Sequence, residues 1–321
     1  MANSTVDMML DGLESDEESS PFETSVIIPN SVLNALLIPI CITGNVLVLA
    51  AVWRNPSLRT PNPSLRTPSI ILLCSLAVSD LFVGFLVLPV YVAIACFILS
   101  GSGFYSSLSQ ASLVLLTQLC CVSLETMTAI SVDRYLALRY HMRYPDMMTS
   151  RRATCVAAIF WCKNVILSLL SIWKTNAILL VVVVFVALCL FISSITYSAI
   201  YRIVRHHQHQ IHAQQQAQAV QSMNAEQNRK LQAKKRALNT FIYYICMLLC
   251  YFPSAVSILI TVAYEPHLNI SLYFDTIMFM NSAINPFLYI WRNREIRRGV
   301  LKILRKILYK TDEENLNNGD Q

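Results

Sequence analysis

Residues 177–195 read "AILLVVVVFVALCLFISSI", a stretch without a charge and without a polar stripe. A helix that is apolar all round must face lipid or a very large core. Comparable runs of about 20 residues or more lie near 26–53, 69–98, 105–132, 153–173, 177–201, 238–264 and 271–291, each long enough to cross a bilayer as a helix. Only 14% of the 321 residues are charged, against about 25% in a soluble domain, which leaves too little charge to coat a water-facing surface. The expected fold is an all-α membrane protein: a seven-transmembrane helix bundle with a short amphipathic helix after the last span.

The cations set the expected orientation. Residues 1–53 contain seven acids, from Asp7 to Glu23, and no Lys or Arg. Basic residues then follow the first, third, fifth and seventh spans: Arg54 to Arg66, Arg134 to Arg152, Arg202 to Arg236 and Arg292 to Lys310. Only Lys163 and Lys174 of the 25 cations fall elsewhere. The positive-inside rule places the amino terminus outside and the carboxyl terminus in the cytoplasm of a plasma-membrane protein. The net charge of +6 then belongs to the membrane-facing inner rim, and nothing points to nucleic acid. No cationic segment or cleavage site precedes the first span, which reads as an uncleaved anchor. The sequons at Asn3 and Asn269 fall outside under this topology. Four regions follow: an acidic terminus at 1–25, the bundle at 26–291, an amphipathic surface helix at 292–310 and an acidic tail at 311–321.

Residues 55–68 repeat one heptad, "NPSLRTPNPSLRTP", in the first cytoplasmic loop. Pro56, Pro61, Pro63 and Pro68 argue against helix there. Doubling a loop costs only about 0.6 kcal/mol in closure entropy, so a tolerated tandem duplication is the preferred reading. A longer basic collar for headgroups or a cytosolic partner is the alternative.

Polar side chains inside the spans are costly unless partnered. Asn45 lies on span one, Asp80 on span two and Ser123 on span three, and span seven carries Asn281, Ser282 and Asn285. Converging in one cavity, these oxygens would suit Na⁺. Asp133-Arg134-Tyr135 ends span three, and Pro253 and Pro286 each remove a helix hydrogen bond, on spans six and seven.

With Gly44-Asn45, Leu76-Ala77-Val78-Ser79-Asp80, Asp133-Arg134-Tyr135, Trp161, Cys250-Tyr251-Phe252-Pro253 and Asn285-Pro286-Phe287-Leu288-Tyr289 in register on their spans, the chain resembles a rhodopsin-like (class A) G-protein-coupled receptor from about Ser25 to Lys310. The resemblance implies a non-enzymatic receptor that takes an extracellular ligand and activates a heterotrimeric G protein. It implies a sodium pocket of Asn45, Asp80, Ser123, Asn281, Ser282 and Asn285, with Na⁺ as an allosteric ion and no other cofactor. Arg134, held by Asp133 at rest, would swing toward Tyr197 and Tyr289 as helix six tilts outward about Pro253. Tyr135, Tyr251 and Pro286 complete the switch.

The departures narrow the placement. The family's usual disulfide position on helix three is Ser109, and no Cys lies in the short "KTNA" loop. No structural disulfide is therefore expected. Cys189 replaces the usual helix-five proline and Tyr251 the usual helix-six tryptophan. The missing disulfide, the short loop and Cys189 resemble melanocortin receptors, and "RYHMRYPDMMTSRR" resembles the wider melanocortin/adenosine/cannabinoid/lysolipid group. Asn285 stands where melanocortin receptors typically carry Asp, and their ligand-binding acids on helices two and three are absent. No acid stands near Leu116, as an aminergic receptor needs, and Phe279 occupies the place of a retinal lysine. The candidate ligand residues are Leu116, Thr117, Cys120, Tyr251, Asp275 and Phe279. Asp275 would receive a cationic ligand or pair with Lys174.

Glu125 and Lys163 are expected to pair within the membrane. His206, His207, His209 and His212 lie in a polar extension of span five and are not read as a metal site. Ile296, Val300, Ile303, Leu304 and Ile307 share one face of a basic helix suited to the inner leaflet. Thr311 is the single phosphorylation target in the tail, so arrestin recruitment through it should be weak. Ala233 replaces an acid that locks Arg134 in some relatives, which would raise basal signalling. A transporter would show a repeat within the membrane, and here only the loop heptad repeats. A non-signalling partner or decoy receptor of the same fold is the remaining alternative.

Overall fold

The computed structural model describes residues 21–55, 67–102, 104–140, 143–173, 175–216, 242, 244–260 and 268–319. Among these the chain is helical, with no strand, and the helices form a seven-transmembrane bundle. The first helix, α1, runs Pro21–Arg54 and carries Pro29 and Pro39 internally. The second, α2, runs Thr67–Phe82, passes through a π turn at Val83–Val87 and continues as Leu88–Leu99. The third, α3, is Tyr105–Arg139, and a single turn at Tyr144–Met147 precedes α4, Ser150–Ser171. Then come α5, Thr175–Gln216, and α7, Leu268–Arg292, with α6 described over Tyr244–Ile260 between them.

Two boundaries differ from the sequence reading. Pro68 lies inside helix, because α2 starts at Thr67; in a first turn the missing N–H would have no partner in any case. Most of the duplicated heptad, 56–66, lies outside the described residues. After α7 the chain breaks at Asn293 and resumes as α8, Arg294–Gly319, so helix extends through residues expected to form a separate acidic tail. The polar extension of α5 is helical through Gln216. At 1.5 Å per residue its 42 residues reach about 63 Å, roughly twice the hydrocarbon thickness.

Helix α3 is the central rod. In its most apolar window 61% of residues are buried, against 22–33% in α1, α2, α4 and α5, and it packs on α2, α4, α5 and α7. The outer faces carry exposed Ile159, Ile166, Leu169, Phe191, Leu249 and Phe287, as lipid-facing helices should. Helix α7 is 25 residues long, enough for about 37 Å. Its polar residues Thr276, Asn281, Ser282 and Asn285 are all buried in the bundle.

Close approach crowds a Cβ at Gly44 and, less tightly, at Gly299. A Cβ on Gly44 would lie 2.9 Å from Pro286 Cγ, where α1 meets α7. A Cβ on Gly299 would lie 3.1 Å from the Ala51 Cβ, where α8 crosses α1. The start of α8 is capped by Asn293, whose Oδ1 accepts from the N–H groups of Glu295 (3.0 Å) and Ile296 (3.4 Å). Ile296, Val300 and Ile303 are buried against the bundle, while Leu304 and Ile307 are exposed. The apolar face expected of this helix is thus divided between protein and surface.

Candidate functional site

Asp80 is fully buried at the centre of the bundle. Its Oδ1 accepts the hydroxyls of Ser123 at 3.0 Å and Ser282 at 2.8 Å. Its Oδ2 accepts the Asn285 amide at 2.7 Å. One carboxylate therefore joins α2, α3 and α7. The other two residues expected on it bond elsewhere. Asn45 donates to the Cys41 carbonyl at 2.9 Å and the Ser282 carbonyl at 3.2 Å. Asn281 donates to Met127 Sδ and to the Tyr251 hydroxyl, each at 3.4 Å. Cys41, which sequence reasoning did not single out, donates its thiol to the Asp80 carbonyl at 3.1 Å. The Oδ1 atoms of Asn45 and Asn285 are buried without a hydrogen-bond partner among the described residues.

At the far end of α3, Asp133 is fully buried. Its Oδ2 accepts the Ser69 hydroxyl, and its Oδ1 accepts the phenol of Tyr144 at 2.5 Å. Both donors were missed, since neither lies on an apolar span interior; the buried acid itself was the signal that donors must exist. Burial, followed by the bond to Asp133, pushes the Tyr144 phenol above its ordinary range, which keeps it protonated and donating. Arg134 and Tyr135 are half-buried beside this acid. The Tyr197 ring lies 5.6 Å from that of Tyr244, whose hydroxyl is 2.8 Å from Ser194 Oγ. Tyr289 is buried on α7, and Pro253 lies half-buried on α6.

Toward the opposite end, Asp275 accepts the Tyr91 phenol at 2.9 Å on Oδ2 and the Ser254 hydroxyl at 3.4 Å on Oδ1. These partners come from α2 and α6. Lys174, the alternative partner, lies outside the described residues. The Tyr91 and Phe279 rings meet edge to face at 4.8 Å. Tyr251 donates to the Cys120 carbonyl at 3.4 Å, and Thr117, Cys120 and Phe279 are buried while Leu116 is half-buried.

Glu125 and Lys163 form a salt bridge. The second Glu125 oxygen accepts the Asn164 amide at 3.1 Å, and the Lys163 ammonium lies 4.1 Å from the Phe185 ring centroid. The acid is 8% exposed and the lysine 30%, so the pair sits at the edge of the bundle. All ten cysteines are free thiols, with Cys96 exposed, and Ser109 is exposed at the start of α3. Asn3, Ala233, and the side chains of Asn269, His207, His209, His212 and Thr311 lie outside the described residues; Asn269 is in the first turn of α7.

Apolar helices around a buried polar axis define a multi-pass membrane protein. Residues 44–178 match the family "7 transmembrane receptor (rhodopsin family)". Residues 173–306 match "Serpentine type 7TM GPCR chemoreceptor Srv". Both matches are to seven-transmembrane receptors, and end to end they run from Gly44 to Lys306. The rhodopsin-family match covers the stretch holding Asp80, Ser123 and Asp133-Arg134-Tyr135.

Proposed function

We propose that this chain is a class A receptor of the plasma membrane, with its amino terminus outside, that binds an extracellular ligand and activates a heterotrimeric G protein. The observation that carries the reading is the Asp80 carboxylate shared by Ser123, Ser282 and Asn285. Three helices are held in one arrangement by groups that hydrocarbon cannot solvate, so the bonds must exchange together when the helices move. The absent disulfide, the short "KTNA" connection and Cys189 in place of the helix-five proline favour the melanocortin-like end of the class.

The donor set fits a hard monovalent cation. The Asp80 carboxylate, the two serine hydroxyls and the orphaned Asn45 and Asn285 oxygens are all oxygens, the ligand type such ions prefer. Na⁺ would supply the counter-charge that a buried carboxylate lacks. The chain's own residues do the rest. Asn285 and Ser282 hold α7 against α2, and Tyr251 ties α6 to α3 and α7. Tyr144 and Ser69 occupy Asp133. Outward movement of α6 about Pro253 breaks the Tyr251 ties and lets Arg134 reach Tyr197 and Tyr289, opening a groove for a Gα helix. A ligand that favours one arrangement shifts the population by its differential affinity.

The test is a second-messenger panel on cells expressing wild type and Arg134→Ala at matched surface levels. A ligand-independent or ligand-evoked signal that disappears in Arg134→Ala is expected. Signals equal in the two, or absent from both, would remove the coupling proposal.

A further inference from the structure

We infer that the ligand carries a protonated amine or guanidinium that docks on Asp275; this deepens, and rests on, the receptor reading above. Asp275 lies ten residues before Asn285 on α7, about 15 Å along the helix, at the end that topology puts outside. It faces the bundle interior, because its hydrogen-bond partners stand on α2 and α6. It is half-buried rather than sealed. Among the described residues no cation lies on it, and its bonded neighbours are two hydroxyls. A carboxylate has about four lone-pair sites, and the described residues fill two of them. Among the described residues the acid thus stands in a low-dielectric site without a counter-charge, an arrangement that a cation would relieve.

The surroundings specify more than charge. The edge-to-face Tyr91 and Phe279 rings place aromatic surface beside the carboxylate, where a cation gains from the ring faces. Leu116, Thr117 and Cys120 on α3 supply an apolar wall for the remainder of the ligand. A cationic head on an apolar or aromatic body fits these walls better than a polyanion or a sugar.

The same contact offers a route to α6. Of the two hydroxyl bonds on Asp275, that from Ser254 is the longer at 3.4 Å. Ser254 follows Pro253, the expected hinge, and lies three residues from Tyr251, whose hydroxyl meets Cys120 and Asn281. An ammonium approaching Oδ1 competes with Ser254 and releases α6 next to its proline. The α2 side, held by the 2.9 Å Tyr91 bond, keeps the carboxylate aimed.

The experiment uses the full-length receptor in lipid nanodiscs and a plate of arylalkylamines and arylguanidines, each paired with its neutral hydroxyl isostere. Binding is read by thermal shift and second messenger in parallel. Hits are expected among the cations, with affinity falling about 30- to 100-fold in Asp275→Asn, as for loss of a charge-assisted bond. Asp275→Glu should keep most of it. Asp275→Asn retains an acceptor for Tyr91, and its surface level against wild type checks folding. Neutral compounds binding as well as their cationic pairs, cationic hits indifferent to Asp275→Asn, or no cationic hit at all would each overturn the inference. Amine binding that depends on Asp275 without any second-messenger change would preserve this site and defeat the coupling proposal instead.

Discussion

Tyr144 and Asp133 are eleven positions apart in sequence, and the phenol of the one lies 2.5 Å from a carboxylate oxygen of the other. The bond fastens the turn after α3 to the acid of the Asp133-Arg134-Tyr135 triplet. Ser69, at the start of α2, takes the other oxygen. Loop turn, α2 and α3 are thereby locked at the end where a G protein would dock.

Tyr144→Phe removes one donor from a buried carboxylate and leaves its ring packing intact. The expected cost is about 1–3 kcal/mol, seen as a lower melting temperature. Basal second-messenger output should rise, because Asp133 is then freer to leave its resting partners. Ser69→Ala should act in the same direction, and the double variant should depart from additivity since the two donors share an acceptor. Independent, additive effects would show that the two bonds are not one lock.

Asp80→Asn keeps the shape of the centre and removes its charge. Replacing choline chloride with NaCl should raise the melting temperature of the wild type and leave Asp80→Asn unmoved. Sodium at ten times its dissociation constant stabilises by roughly 1.4 kcal/mol. Equal responses of the two proteins would remove sodium from the mechanism.

Glu125 and Lys163 should show strong coupling in a thermal double-mutant cycle. Glu125→Gln or Lys163→Met alone strands one charge within the membrane, at a cost of about 3 kcal/mol or more. The double variant should lose much less than the sum. Because Lys163 is partly exposed and faces Phe185, Glu125→Gln, which leaves that lysine behind, should be the milder single change, and Lys163→Met, which leaves the nearly buried acid, the costlier one. Additivity would mean that the pair contributes nothing as a pair.

Gly44→Ala puts a methyl 2.9 Å from Pro286 Cγ, between a helix and a rigid ring. Overpacking of this kind costs about 1–3 kcal/mol, measured as reduced thermal stability in detergent. Gly299→Ala meets the Ala51 Cβ at 3.1 Å and should cost less, because α8 has surface on its other side. A Gly44→Ala protein as stable as wild type would show that α1 and α7 can part without loss.

The spans were legible because hydrocarbon leaves the chain little choice. Uncharged runs long enough to cross it become helices, and cations collect in alternate loops. Asp80, Ser123, Ser282 and Asn285 were legible as partners for the same reason: four costly groups on three spans had to find one another. The start of α2 was misread because proline was weighed as a breaker, whereas a first turn accepts it. The continuation of α8 to Gly319 crosses a change in charge pattern that resembles a boundary in sequence.

What the sequence alone determined is that seven rods cross a membrane and that certain polar residues could not face lipid. The tertiary structure decided which atom meets which. It turned Asn45 to Ser282 and Asn281 to Tyr251 instead of the Asp80 carboxylate, gave Asp133 to Ser69 and Tyr144, and gave Asp275 to Tyr91 and Ser254. Periodicity along one helix states which way a side chain points. The partner's identity depends on the rotation and depth of a neighbouring helix, and those are set by close contacts such as Gly44 on Pro286 and Gly299 on Ala51, which no single segment encodes.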